Sequence, residues 1–159
     1  VKEMGARVHF GNWRMEGGES VADVTVSPDR LRGTTVVEAD VPAMVDELPL
    51  LACLATRAEG ETLITGANEL RVKESDRIAA VVANLRAIGA TAEELPDGMR
   101  IVGSDRPLTG RVVTHGDHRL AMAFGVLGAA DGNSIEIDDR DCVAVSYPRF
   151  WADLAAVQT

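Results

Sequence analysis

Ile88-Gly89-Ala90-Thr91-Ala92-Glu93-Glu94-Leu95-Pro96-Asp97-Gly98-Met99-Arg100-Ile101-Val102 reads as a helix end stopped by glycine, then a tight hairpin. Thr91–Leu95 and Met99–Val102 form its arms, and Asp97-Gly98 suits a short turn between strands. The pattern occurs twice. Met4-Gly5-Ala6 precedes predicted strands at Ala6–Phe10 and Trp13–Glu16 around Gly11-Asn12, and Gly5 and Gly89 stand 84 residues apart. A further strand is predicted near Val21–Val26. An apolar helix over about Pro49–Glu59, Gly60 and the strand Thr62–Thr65 are echoed by a helix over Leu120–Ala130, Gly132 and the strand Ser134–Asp138. Here the offset, Gly60 to Gly132, is 72 residues, so the copies differ in loop length. An amphipathic helix over Lys73–Ile88, a strand at Arg111–Val113 and a last helix over Phe150–Val157 complete the reading. The fold class expected is α/β, built from a βαβαββ unit used more than once, a period too long for an ordinary solenoid. The first copy is expected to lack its first strand and most of its first helix, with residues 1–5 as a helix end.

Composition narrows the function classes. The chain has 159 residues, a single-domain length, with 46% hydrophobic and 26% charged residues. Its 25 acidic and 16 basic residues give a net charge of −9, which argues against nucleic acid as a partner. Net charge does not forbid a local anion site. No run of about 18 apolar residues is present, so no membrane-crossing helix is expected. The first residues, Val1-Lys2-Glu3-Met4-Gly5, lack the pattern of a secretory signal. The absence of an initial Met suggests a piece of a longer protein. Two cysteines are too few for a disulfide framework and fit a reducing cytoplasm. Cys53, in the apolar run 50–55, is expected to be a buried structural thiol. Cys142 has no His or Lys beside it to activate it.

The chemistry concentrates where loops hand over to helices. In Lys73-Glu74-Ser75-Asp76-Arg77, a helix over 73–88 puts Lys73 and Arg77 on one face at i, i+4. Two cations near the positive end of the helix dipole conflict with local rules, and such conflicts mark functional positions. Glu74 and Asp76 neutralising them on a solvated face is the plain alternative. In Thr114-His115-Gly116-Asp117-His118-Arg119, Asp117 is a predicted N-cap, leaving His118 and Arg119 in the first turn. Backbone N–H groups there favour an anion, and a forked Arg suits carboxylate or phosphate. A capping Asp beside a surface Arg explains the same residues without a ligand. His115 and His118 lack a clear third metal ligand. In Val45-Asp46-Glu47-Leu48-Pro49, Pro49 suits a first helical turn and Asp46 sits just before it. The dipole there favours an ionised carboxylate, which a general base requires; a simple capping acid is the alternative.

Together these segments resemble the 5-enolpyruvylshikimate-3-phosphate synthases. The resemblance rests on Val45–Pro49, Leu70–Arg77, Gly116–Met122 and Ser146-Tyr147-Pro148 with Phe150, in that order. It implies the enolpyruvyl transferase fold, an inside-out α/β barrel of βαβαββ units forming two similar domains. Residues 1–159 would be the C-terminal (second) domain less its opening elements, partnered by the N-terminal domain. The implied substrates are phosphoenolpyruvate and shikimate 3-phosphate, with no metal or organic cofactor. By motif, Asp46 corresponds to the acid–base carboxylate near the shikimate 5-hydroxyl and Lys73 to a substrate-contacting lysine. Glu74 corresponds to the carboxylate of proton transfer at C3, and Arg77 and Arg119 to the arginines that clamp phosphoenolpyruvate, with His118 beside them. Catalytic roles thus fall on Asp46, Lys73 and Glu74, and substrate binding on Asp46, Lys73, Arg77, His118 and Arg119. The family of UDP-N-acetylglucosamine enolpyruvyl transferases is similar in fold, but the Lys-Glu-Ser-Asp-Arg and Asp-His-Arg runs favour the shikimate enzymes. A non-catalytic assembly fragment is the alternative from another class. One departure is Val145, where some members carry a lysine facing the phosphate.

Overall fold

The structure, a computed structural model, describes residues 1–27 and 29–158. A ribbon of β1 (Arg7–Glu16) and β2 (Glu19–Ser27) comes first. One whole βαβαββ unit follows: β3 (Thr35–Val36), α1 (Leu48–Ala55), β4 (Glu61–Ile64), α2 (Arg77–Ala87), β5 (Thr91–Leu95) and β6 (Gly98–Val102). A second unit supplies β7 (Thr109–Val112), α3 (His118–Gly128), β8 (Ser134–Ile137) and α4 (Phe150–Ala156). In the first sheet the order is β3-β4-β6-β5, with β3 parallel to β4 and β6 antiparallel to both neighbours. β7 and β8 pair in parallel. The α/β repeat predicted from the two glycine-stopped patterns is therefore present. Among the described residues, no helix is long and apolar enough to cross a membrane.

The helices face inward. α1 is apolar almost all round and buries Leu48, Pro49, Leu51, Ala52, Cys53 and Ala55. α2 contributes Ile78, Val81, Val82 and Leu85, and α3 contributes Leu120, Ala123, Phe124 and Leu127. Ile64, Met99 and Ile101 close this core from the sheet. Asn84 of α2 couples the two units: its amide donates to Val113 O and accepts from Val113 N–H, both at 2.8 Å, pairing with that residue as a strand would. At the opposite end, Arg57 reaches Ser104 O, Arg106 O and the Asn133 side chain.

Several boundaries differ from expectation. The first hairpin turns at Gly17-Gly18, not at Gly11-Asn12, because both glycines take positive φ, as a two-residue turn between Glu16 and Glu19 requires. Gly11-Asn12 instead sits at a register shift within β1, with Asn12 in the left-handed region. The helix predicted from Lys73 begins at Arg77, because the Asp76 side chain caps it by accepting from Ala79 N–H at 3.0 Å. Lys73 is extended, so Lys73 and Arg77 do not share a helix face. α3 starts at His118, as the Asp117 cap predicts and two residues before the apolar pattern begins. Residues 1–5 carry the closing bonds of a helix end, as expected: Gly5, at positive φ, donates to Lys2 O and Ala6 N–H donates to Val1 O, the same pair of bonds that ends α2 at Gly89 and Ala90. Strand β3 was not expected at all: two residues carry no period. The β1–β2 ribbon also buries none of its residues, leaving Phe10, Trp13, Met15, Val24 and Val26 exposed, whereas the β5–β6 hairpin buries Ala92, Met99 and Ile101.

The β5–β6 turn seats tightly on β4. A Cβ on Gly98 would lie 1.9 Å from Ile64 O. Gly98→Ala is therefore expected to lift the hairpin and cost about 1–3 kcal/mol or more. Urea denaturation measures this, and an unchanged midpoint would contradict so close a seating.

Candidate functional site

The three predicted helix starts meet at one place. Arg77, first residue of α2, is 1% exposed and sits between the starts of α1 and α3. Its Nε donates to Asp117 Oδ2 at 2.9 Å and its Nη2 reaches Asp117 Oδ1 at 3.3 Å, forming a fork on a carboxylate that is 0% exposed. Its Nη1 donates to Asp46 Oδ1 at 2.9 Å and its Nη2 to Glu74 Oε2 at 2.5 Å. Asp46 and Glu74 are respectively 42% and 51% exposed. The guanidinium thus has an inner edge locked to Asp117 and an outer edge bearing two solvent-facing carboxylates.

Asp117 serves two helices at once. It caps α3 by accepting from Arg119 N–H at 2.9 Å, and it also accepts from Ser75 Oγ at 3.0 Å. The sequence revealed its capping role but not its pairing with Arg77. Burial opposes both charges, yet Asp117 is held below the ordinary carboxylate range by Arg77, Ser75 and the Arg119 N–H. Arg77 is raised in turn, its burial outweighed chiefly by Asp117 and then by Glu74 and Asp46.

The remaining candidates surround this pair. Arg119 donates from Nη1 to Glu47 Oε1 at 3.1 Å, and its Nη2 lies 3.8 Å from Asp46 Oδ2. Glu47 is a contact that residue patterns did not single out, since its neighbour Asp46 absorbed the reading of that helix start. Lys73 pairs with Glu69 at 2.5 Å, and this hydrogen bond raises its pKa. His118 opens α3 half-buried, outside the ion-pair web. The structure therefore joins Asp46, Glu74, Arg77 and Arg119 directly and brings Lys73 within electrostatic reach of Asp46 and Arg77. Beside Arg119 a cleft of about 170 Å³ is lined by Asp46, Glu47, Leu50, Met122 and Tyr147, among others. Val145 is 79% exposed near the chain's last helix.

The loop carrying Lys73 and Glu74 is held by the hairpin with which the sequence reading began. Arg71 donates from Nε to Pro96 O at 2.9 Å and from Nη2 to Leu95 O at 2.7 Å, while its Nη1 pairs with Asp76 and Glu94. Asp97 Oδ2 accepts from Gly66 N–H at the other end of the loop. Five carboxylates (Asp46, Glu47, Glu69, Glu74, Asp117) face three cations (Lys73, Arg77, Arg119) in this region. Each of the three helix starts acts as roughly half a positive charge and offsets most of that surplus. Among the described residues, no group of three or more His, Cys, Asp or Glu is placed to hold a metal ion. Cys53 is fully buried and its thiol is pushed up by burial; Cys142 is half-buried and shifted the same way.

Comparison with known proteins agrees with this architecture. The enolpyruvyl transferase NikO from Streptomyces tendae is similar over 98% of the chain and 33% of its own, with a TM-score of 0.68 and 25% identity. An EPSP synthase from Acinetobacter baumannii is similar over 99% of the chain and 37% of its own, with a TM-score of 0.89 and 38% identity. The fold is thus that of the enolpyruvyl transferases. The model for EPSP synthase (3-phosphoshikimate 1-carboxyvinyltransferase) matches residues 1–154, and the chain belongs to this family. Curated relatives named 3-phosphoshikimate 1-carboxyvinyltransferase include one from Sulfurihydrogenibium sp. (strain YO3AOP1), 53% identical over 157 residues, and one from Persephonella marina, 52% identical over 159. The matches cover 99% of this chain but only 36% and 37% of those relatives.

Asp117→Asn keeps a capping oxygen but leaves Arg77 without its buried anion. Breaking a buried pair this way is expected to cost about 3–5 kcal/mol at pH 7. Because the folded value of Asp117 is lowered, its contribution is present above the unfolded value near 4 and is lost as pH falls through the folded one. The gap between wild type and variant should therefore be narrower at pH 3 than at pH 7, as measured by urea unfolding at the two values.

Proposed function

We propose that the chain forms the C-terminal part of a transferase that moves the enolpyruvyl group of phosphoenolpyruvate to the 5-hydroxyl of shikimate 3-phosphate. The 5-hydroxyl oxygen adds to C2 of the enol while C3 gains a proton. The resulting tetrahedral adduct then loses inorganic phosphate and a C3 proton. The observation that carries this reading is the placement of Asp46 and Glu74 on the two terminal nitrogens of one guanidinium. Alcohol addition to an enol needs a base at oxygen and an acid at carbon, hence two carboxylates a side chain's width apart. Asp46 takes the hydroxyl proton, and Glu74 exchanges the C3 proton. Lys73 contacts the substrates. The outer edge of Arg77, together with Arg119, binds phosphoenolpyruvate, with His118 beside it. Fixed charges of this kind also stabilise charge that develops during reaction.

The chain spans little more than a third of its relatives' length. An N-terminal domain of the same enzyme, supplying the rest of the site, is accordingly part of the proposal. Two free thiols and the biosynthetic reaction fit a cytoplasmic location. The test assays the full-length enzyme with phosphoenolpyruvate and either shikimate 3-phosphate or UDP-N-acetylglucosamine. Product with the first acceptor alone supports the reading, and product with the second alone overturns it. The purified 159-residue chain is expected to give no turnover until mixed with the remainder of the enzyme. In the full-length enzyme, Arg119→Lys should raise the KM for phosphoenolpyruvate about tenfold to a hundredfold, since a point charge cannot reproduce a fork on a carboxylate. An unchanged KM would remove Arg119 from that role.

A further inference from the structure

Glu47 has no part in the roles assigned above, yet it holds the most accessible cation of the site. Its Oε1 accepts from Arg119 Nη1 at 3.1 Å, and Arg119 is 34% exposed against 57% for Glu47. Both line the same cleft, with Asp46, Leu50 and Tyr147. Arg77 and Lys73 are already engaged by Asp117, Asp46, Glu74 and Glu69. The cations of the site are thus neutralised internally, and an anion must exchange for a carboxylate already present. Glu47 is the natural one to yield. Asp117 is buried and caps a helix, and Asp46 is also held by Arg77, whereas Glu47 has, among the described residues, this single ion pair and lies at the water-facing end of the group.

We propose that Glu47 is an internal stand-in for the substrate anion on Arg119, displaced when phosphoenolpyruvate binds. This rests on the transferase reading above. The carboxylate keeps Arg119 folded over the start of α1 in the resting site and competes with the incoming group. Removing it deletes a competitor and also withdraws a negative charge from a region where carboxylates outnumber cations. Exposed pairs of this kind are weak, so the effect is modest, about two- to fivefold in affinity, and it is screened by salt.

The experiment compares wild type and Glu47→Gln in the full-length enzyme, with both substrates, across a range of ionic strength. Glutamine keeps the shape and removes the charge at an exposed position, and matching melting temperatures confirm an intact fold. The KM for phosphoenolpyruvate is expected to fall two- to fivefold at low salt, and the gain to shrink as salt rises. The KM for shikimate 3-phosphate serves as the internal comparison and should move less. An unchanged or raised KM for phosphoenolpyruvate overturns the proposal, since it would make Glu47 either a bystander or a positioning group for Arg119. Failure of the wild-type enzyme to turn over would instead overturn the underlying reading.

Discussion

The fork between Arg77 and Asp117 is the constraint on which the rest of this molecule depends. It joins the first residue of α2 to the cap of α3 and spans two repeat units. Two buried charges are costly to remove from water, and their mutual attraction compensates only when geometry and extra hydrogen bonds are good. Here Ser75 and the Arg119 N–H supply those extra bonds to Asp117, while Asp46 and Glu74 satisfy the outer nitrogens of Arg77. The pair also places a cation at a helix start, where the dipole disfavours it. That local conflict is resolved only by bringing three separate loops together. Specificity of arrangement, more than net stability, is what such a pair contributes.

Around this fork the site is assembled from parts with different jobs. α1, α2 and α3 pack through Leu51, Ile78, Leu85, Leu120 and Phe124 and bring their starts to one end. The β5–β6 hairpin, through Asp97 and the carbonyls taken by Arg71, holds the loop that carries Lys73 and Glu74. Asn84 fixes the strand that leads into Thr114 and Asp117. Arg71 and Asn84 thus position charged residues of the candidate site that they never touch.

Much of this was legible in the residues, and what was not has physical reasons. The β5–β6 hairpin and the Asp117 cap rest on local chemistry; the cap is where the pattern put it, and so is the hairpin, although its two-residue turn is Pro96-Asp97 and Gly98 already pairs with Leu95. The start of α2 was misplaced because Lys73 and Arg77 at i, i+4 imitate helical spacing, while the actual signal, Asp76 as cap, lay between them. Strand β3 is defined only by its parallel partner 28 residues away, which no local period encodes. Likewise, the charged residues of the site could be named, but not who pairs with whom. Arg77 and Asp117 are 40 residues apart, and Glu47 faces Arg119 across 72. Those choices belong to the tertiary fold.

The exposed β1–β2 ribbon has a consequence for how the molecule comes apart. A two-stranded ribbon with no buried side chain has little to hold it beyond its own ladder and turn. In the 159-residue chain its amides are expected to open by local fraying and exchange with solvent early, while those of α2, β4 and β6 wait for the core to open. Two tiers of protection are therefore expected in it. The boundary between them falls near the parallel contact of Arg32 with Glu59, where the chain passes from the ribbon into the first whole unit.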